Sequence, residues 1–125
     1  MAAPVAAPPG WPRDLPGPAA GEPFEVRVVG WLLDRCPAEV RGTTELRRQP
    51  AALALLAVAH AEAVVAGQRE VYRSARRELA PQLSAAALEA VLLDLEGVGH
   101  ECVRTLREVR LVAEALAGRV WRAKL

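Results

Sequence analysis

LEAVLLDLEGVGHECVRTLREVRLVAEAL, residues 88–116, is the stretch on which the fold turns. Leu88, Val91, Leu95, Val98, Cys102, Thr105, Val109, Val112 and Leu116 fall in it at alternating steps of three and four. No proline follows Pro81. A seam sustained for about four heptads predicts a long helix packed lengthwise on another helix. The expected class is all-α.

The partner helix lies just upstream. Pro81-Gln82-Leu83-Ser84 reads as a tight connection, with Ser84 as N-cap of the last helix and Gly118 as its C-cap. Pro50 opens the preceding helix, which runs to Leu79 with Ala54, Val58, Ala61, Val65, Gln68, Tyr72, Ala75 and Leu79 on one stripe. Both rods should measure roughly 45–50 Å, and the short link makes them an antiparallel hairpin. Residues 51–59 are apolar all round, which predicts enclosure on every side. The natural lid is a short helix from Pro23, with Phe24, Val28, Trp31, Leu32 and Cys36 at helical spacing; Pro37 ends it. Residues 37–49 read as irregular, with Thr43 or Thr44 as a cap.

The chain divides by composition. Residues 1–23 hold seven of the ten prolines, so 1–22 should form an extended or disordered arm, with Trp11 and Leu15 as its large apolar anchors. Residues 23–118 form the helical hairpin domain, and 119–125 a basic tail carrying Trp121. At 125 residues the chain suits one domain, and its net charge of +1 is too small for a strong non-specific polyanion binder. Arg supplies every cation but Lys124, while Ile and Asn are absent; this skew follows codon composition more than chemistry. Cys36 and Cys102 match no zinc or redox spacing and read as buried free thiols. Residues 1–9 lack a basic start, and the longest apolar run, 51–66, contains His60 and Glu62 and reads as too short for a bilayer span. The expected location is cytoplasmic.

Chemistry-bearing groups are sparse. His60-Ala61-Glu62 has the H-x-E pattern of zinc deaminases without their Pro-Cys-x-x-Cys, and it lies inside a helix. His100 reads as outward-facing, away from His60. Gly97-Val98-Gly99 lacks the third glycine and the strand of a phosphate loop. No catalytic residue, metal or cofactor is expected. Gln68 interrupts an apolar stripe, where an amide costs stability unless it is partnered. With His60 it is the candidate for a polar core position or the wall of a pocket. Arg69, Arg73, Arg76 and Arg77 form a basic cluster, and Arg47 and Arg48 a second pair. The start of the last helix carries Glu89, Asp94, Glu96 and Glu101, so an antiparallel hairpin sets basic end against acidic end.

Leu93, Val103 and Leu111 lie off the seam. With Trp31 and Trp121 they are the candidate interaction residues. The function expected is a non-enzymatic helical interaction protein, self-associating as a homodimer or docking on a larger assembly. The second reading is a nucleic-acid-associated regulator using Arg47, Arg48, Arg73 and Arg77.

Trp31-Leu32-Leu33-Asp34-Arg35-Cys36-Pro37, Leu46-Arg47-Arg48-Gln49-Pro50 and the Ala-rich helix with His60 and Glu62 resemble small helical proteins of GC-rich Gram-positive bacteria. The resemblance spans roughly residues 11–118. It implies a cytoplasmic location and carries over no functional residue. Secreted helical hairpins marked by Trp-x-Gly at the turn are similar in size, but residues 81–84 lack that mark.

Overall fold

The computed structural model describes residues 7–122; the first six residues of the arm and the last three of the tail lie outside them. Four α-helices follow in order: α1 (Glu22–Leu33), α2 (Thr44–Arg48), α3 (Pro50–Leu79) and α4 (Ala85–Leu116), with 3-10 turns at Pro18–Ala20 and Ala38–Val40. α3 and α4 pair along their length as an antiparallel hairpin, and α1 lies across one face of its open end. The fold is all-α, as the periodicities require.

The boundaries follow local chemistry. Pro50 and Pro23 sit in first turns, where a missing N–H costs nothing. Ser84 caps α4 by accepting the Ala87 N–H at 3.1 Å. Gly118, at φ +99°, ends it. Thr43 takes the N-cap position of α2 with no side-chain cap bond, so only the backbone half of that expectation holds.

The seam of α4 differs from the expected one by one residue in every second layer. Leu88, Leu95, Cys102, Val109 and Leu116 are common to both readings. Between them the helix turns Leu92 (6% exposed), Gly99 and Leu106 (8%) toward α3, whereas Val98 is 44% exposed. Both choices satisfy the three-four spacing, so the pattern alone cannot separate them. Val112 is fully buried in the cluster that α1 builds with the hairpin end. α4 therefore carries two adjacent apolar stripes, one facing α3 and one turned into the capped-end cluster.

The core is continuous only at the capped end. Leu32, Leu53, Val28, Val109 and Val112 are the largest fully buried side chains, and all belong there. Farther along are two small clusters, Ala61–Val65–Leu106 and Ala75–Leu88–Leu92. Enclosure of residues 51–59 is one-sided: Leu53, Ala54 and Ala57 are buried, but Leu55 is 70% exposed. One short helix covers one flank of a rod, not all of it.

The Pro-rich arm is docked. Leu15 is 4% exposed within the main core, and Trp11 packs on Phe24 at 5.8 Å and on Trp121 at 6.2 Å between ring centroids. The Trp31 Nε1–H donates to Asp14 Oδ1 at 2.9 Å, and Arg35 holds Asp14 Oδ2 at 3.2 Å while stacking on the Trp31 ring at 3.7 Å. The Trp31 bond, then the charge of Arg35, holds the Asp14 carboxyl below its ordinary range. Gly10 lies at φ +85°, and a Cβ there would stand 3.6 Å from Leu111 Cδ1. The packed unit therefore begins well before Pro23.

α3 also revises the reading of the apolar run. The helix continues well past residue 66, and by length and composition it holds a window that could cross a membrane, with mean hydropathy 1.6. In this fold that stretch is one wall of the core, through Leu53, Ala54, Ala57, Ala61 and Val65. Only 28% of that window is buried within the fold.

Candidate functional site

The hairpin has two faces. The α1 face carries the short helix over its open half. The opposite face, here the open face, is bridged by two ion pairs between the rods: Arg76–Glu89 at 2.9 Å near the turn and Arg110–Glu62 at 3.8 Å near the other end. Between these bridges the chain has a waist. Residues 66–74 of α3 and 93–105 of α4 contain no buried side chain.

A groove of about 680 Å3 runs along the open face of this waist. Its floor is Val65, Tyr72, Leu92, Leu95 and Val103 with the Gln68 amide, and Gly99 supplies the gap opposite Gln68. A Cβ at Gly99 would meet nothing within 4 Å. Gln68 thus faces open space and keeps its amide in water, which removes the cost of enclosing it unpartnered.

The rims carry opposite charge. Arg69, Arg73 and Arg76 stand on the α3 side, and Glu96 with His100 on the α4 side. The Arg76–Glu89 contact sets the register. Seven residues back along α3 and seven on along α4 bring Arg69 level with Glu96. Among the described residues these two make no ion pair. Where Arg76 meets Glu89 the rims touch; two turns on, they stand apart over an apolar floor.

The expected basic-against-acidic arrangement is thus realised through one bridge. Arg73 pairs with Glu70 at 3.1 Å and Arg77 with Glu78 at 3.3 Å, both within α3. Arg47 closes its own loop, donating to the Arg41 carbonyl from Nη2 at 2.8 Å and Nε at 3.2 Å, and Arg48 is exposed. Twenty-three residues of α3 lie between Arg48 and Arg73, roughly 35 Å, so the two basic groups form separate patches.

The apolar candidates divide as well. Leu93 is 69% exposed on α4, beside the acidic rim, and Val103 lines the groove. Leu111 and Trp121 lie against the docked arm, through Gly10 and Trp11. Trp31 is 5% exposed and sits in the core, with Asp14 and Arg35 closing over it. Tyr72, 45% exposed in the groove, stood on the expected core stripe, and its place at the waist depends on which residue of α4 faces it.

His60 lies outside the groove. It lines a second cavity of about 630 Å3 below the end of α1, with Cys36 and Cys102. Burial pushes the Cys36 thiol up, against a smaller opposing effect of Arg41, which suits an inert thiol. His60 and His100 lie on opposite faces of the hairpin, and among the described residues no group of three His, Cys, Asp or Glu side chains is placed to hold a metal ion. No family model matches the chain, and no curated protein or solved structure matches it either.

Proposed function

We propose that this chain is a non-enzymatic interaction module that offers the open face of its waist to another helical protein surface. One observation carries the reading. Over residues 66–74 and 93–105 neither long helix buries a side chain, although the same stretches bear Tyr72, Leu95 and Val103 around the groove. Two helices laid side by side enclose little, and a third or fourth must complete the core. α1 does this at one end only. The charged groups of the groove stand on its rims above a mainly apolar floor, an arrangement suited to burying area and orienting a partner. In this reading α3 serves as a core helix of a cytoplasmic protein.

The substitution Tyr72→Arg places a charge on the groove floor at a side chain that is itself 45% exposed. Light scattering of the purified chain, together with affinity capture from the native host, tests the reading. The expected result is self-association or a captured partner that Tyr72→Arg loses while its helical circular dichroism is kept. A wild-type chain that stays monomeric and captures nothing in a Tyr72-dependent way overturns it.

A further inference from the structure

We infer that the groove is filled by a second copy of this chain, turned about a two-fold axis parallel to α3 and α4. This rests on the interaction reading above and names its partner. Two identical surfaces meeting face to face have their two-fold in the interface plane. For two rods the simple choices are an axis along them or an axis across them. An axis across the rods at the waist lays α3 on α3 and α4 on α4, so Arg69 meets its own copy and Glu96 meets its own copy. An axis along the rods lays α3 on α4 of the second copy without changing height. Arg69 and Glu96 are level, so each then meets the other's counterpart across the interface. Among the described residues these are the two rim charges that make no ion pair.

The rest of the face agrees with the same axis. Toward the capped end the order of signs reverses, with Glu62 on α3 and Arg110 on α4. An axis along the rods still sets each opposite its complement. Every helix of the resulting four-helix bundle runs antiparallel to both neighbours, which suits the helix dipoles. Tyr72, Leu95 and Val103 of the two copies supply the floor and roof of one core, with Gly99 leaving room for the incoming side chains. α1 lies on the other face and stays outside the contact.

The test is complementation by mixing, on the full chain, read by sedimentation over a concentration series. The wild type should be a dimer. Arg69→Glu alone sets Glu against Glu, and Glu96→Arg alone sets Arg against Arg; each should weaken the dimer about tenfold or more. Mixing the two variants restores both cross-pairs, so a mixed dimer should form near wild-type affinity. Both sites are exposed, and thermal melts of each variant verify that the fold is kept. A wild type monomeric throughout overturns the second copy as occupant. The interaction reading then stands only if a different protein is captured in a Tyr72-dependent way, and falls with it otherwise. A dimer indifferent to both charge reversals, or a mixture that fails to recover, overturns this face and this axis.

Discussion

The two ends of one hairpin are built differently. At the capped end α1 and the arm form a third layer, and Leu32, Leu53, Val109 and Val112 are sealed from water. Farther along, the same two helices run on without a third layer, and burial falls to two small clusters, Ala61, Val65 and Leu106 and then Ala75, Leu88 and Leu92, with none at the waist between them. A pair of helices has one shared line of contact. Side chains on that line are covered, and those beside it need another element. The contrast separates what holds this molecule together from what it leaves available.

The largest effect should come from opening the capped end. Leu53→Ala removes a fully buried side chain and should cost about 2–5 kcal/mol, whereas Leu93→Ala, at 69% exposure, should stay within about 0.5 kcal/mol. Thermal or urea unfolding measures both. Comparable losses would mean that the waist is sealed too and would end the contrast.

The latch of the arm is next. Asp14→Asn removes the charge that receives Trp31 and Arg35, and should cost about 1 kcal/mol or less because Asp14 is mostly exposed. The sign with pH is definite. A carboxylate held below its ordinary value stabilises the fold above the unfolded value of about 3.9, and this is lost as pH falls through the lower, folded value. Melting temperatures of the wild type and Asp14→Asn should therefore converge in strong acid. Glu108 behaves oppositely. Burial raises its pKa despite Arg35 and Arg104, so its charged form opposes folding above that raised value. Glu108→Gln should melt higher than the wild type at neutral pH, and the gain should vanish on acidification.

Two smaller effects sharpen the picture of the waist. Gly97 is exposed within α4, and a Cβ there meets nothing, so Gly97→Ala should stabilise by about 0.5–1 kcal/mol through helix propensity alone. Arg76→Ala removes the bridge to Glu89, whose partners are both more than 60% exposed, and should cost under about 0.5 kcal/mol, less still at high salt. A larger salt-independent loss would show that this pair, rather than the aliphatic clusters, closes the turn end.

Much of the fold is legible in the residues because its signals are local. Prolines at 23, 50 and 81, Ser84 before an alanine run and Gly118 after Ala117 place the helix ends by their own φ preferences and hydrogen-bonding capacity. The groove was less legible. Gln68 and Val103 stand out in the pattern, but Trp31 and Trp121, chosen for their size, are used within the chain by Asp14 and Trp11. A large aromatic side chain signals that something covers it, and carries no mark of whether that cover is intramolecular. Tyr72 carries no such mark, because it lies on the expected core stripe.

Spacing alone dictated two long helices, their lengths and their antiparallel run, because heptad period, proline position and loop length act through neighbours in the chain. Three-dimensional packing chose which of the two equivalent stripes on α4 meets α3. Leu92, Gly99 and Leu106 face the partner rod, while Val112 passes beneath α1. Both stripes satisfy the same arithmetic, and a rotation about the helix axis changes no local interaction. Only contacts between segments distant in sequence can select the angle, and that angle sets Gly99 opposite Gln68 and opens the groove.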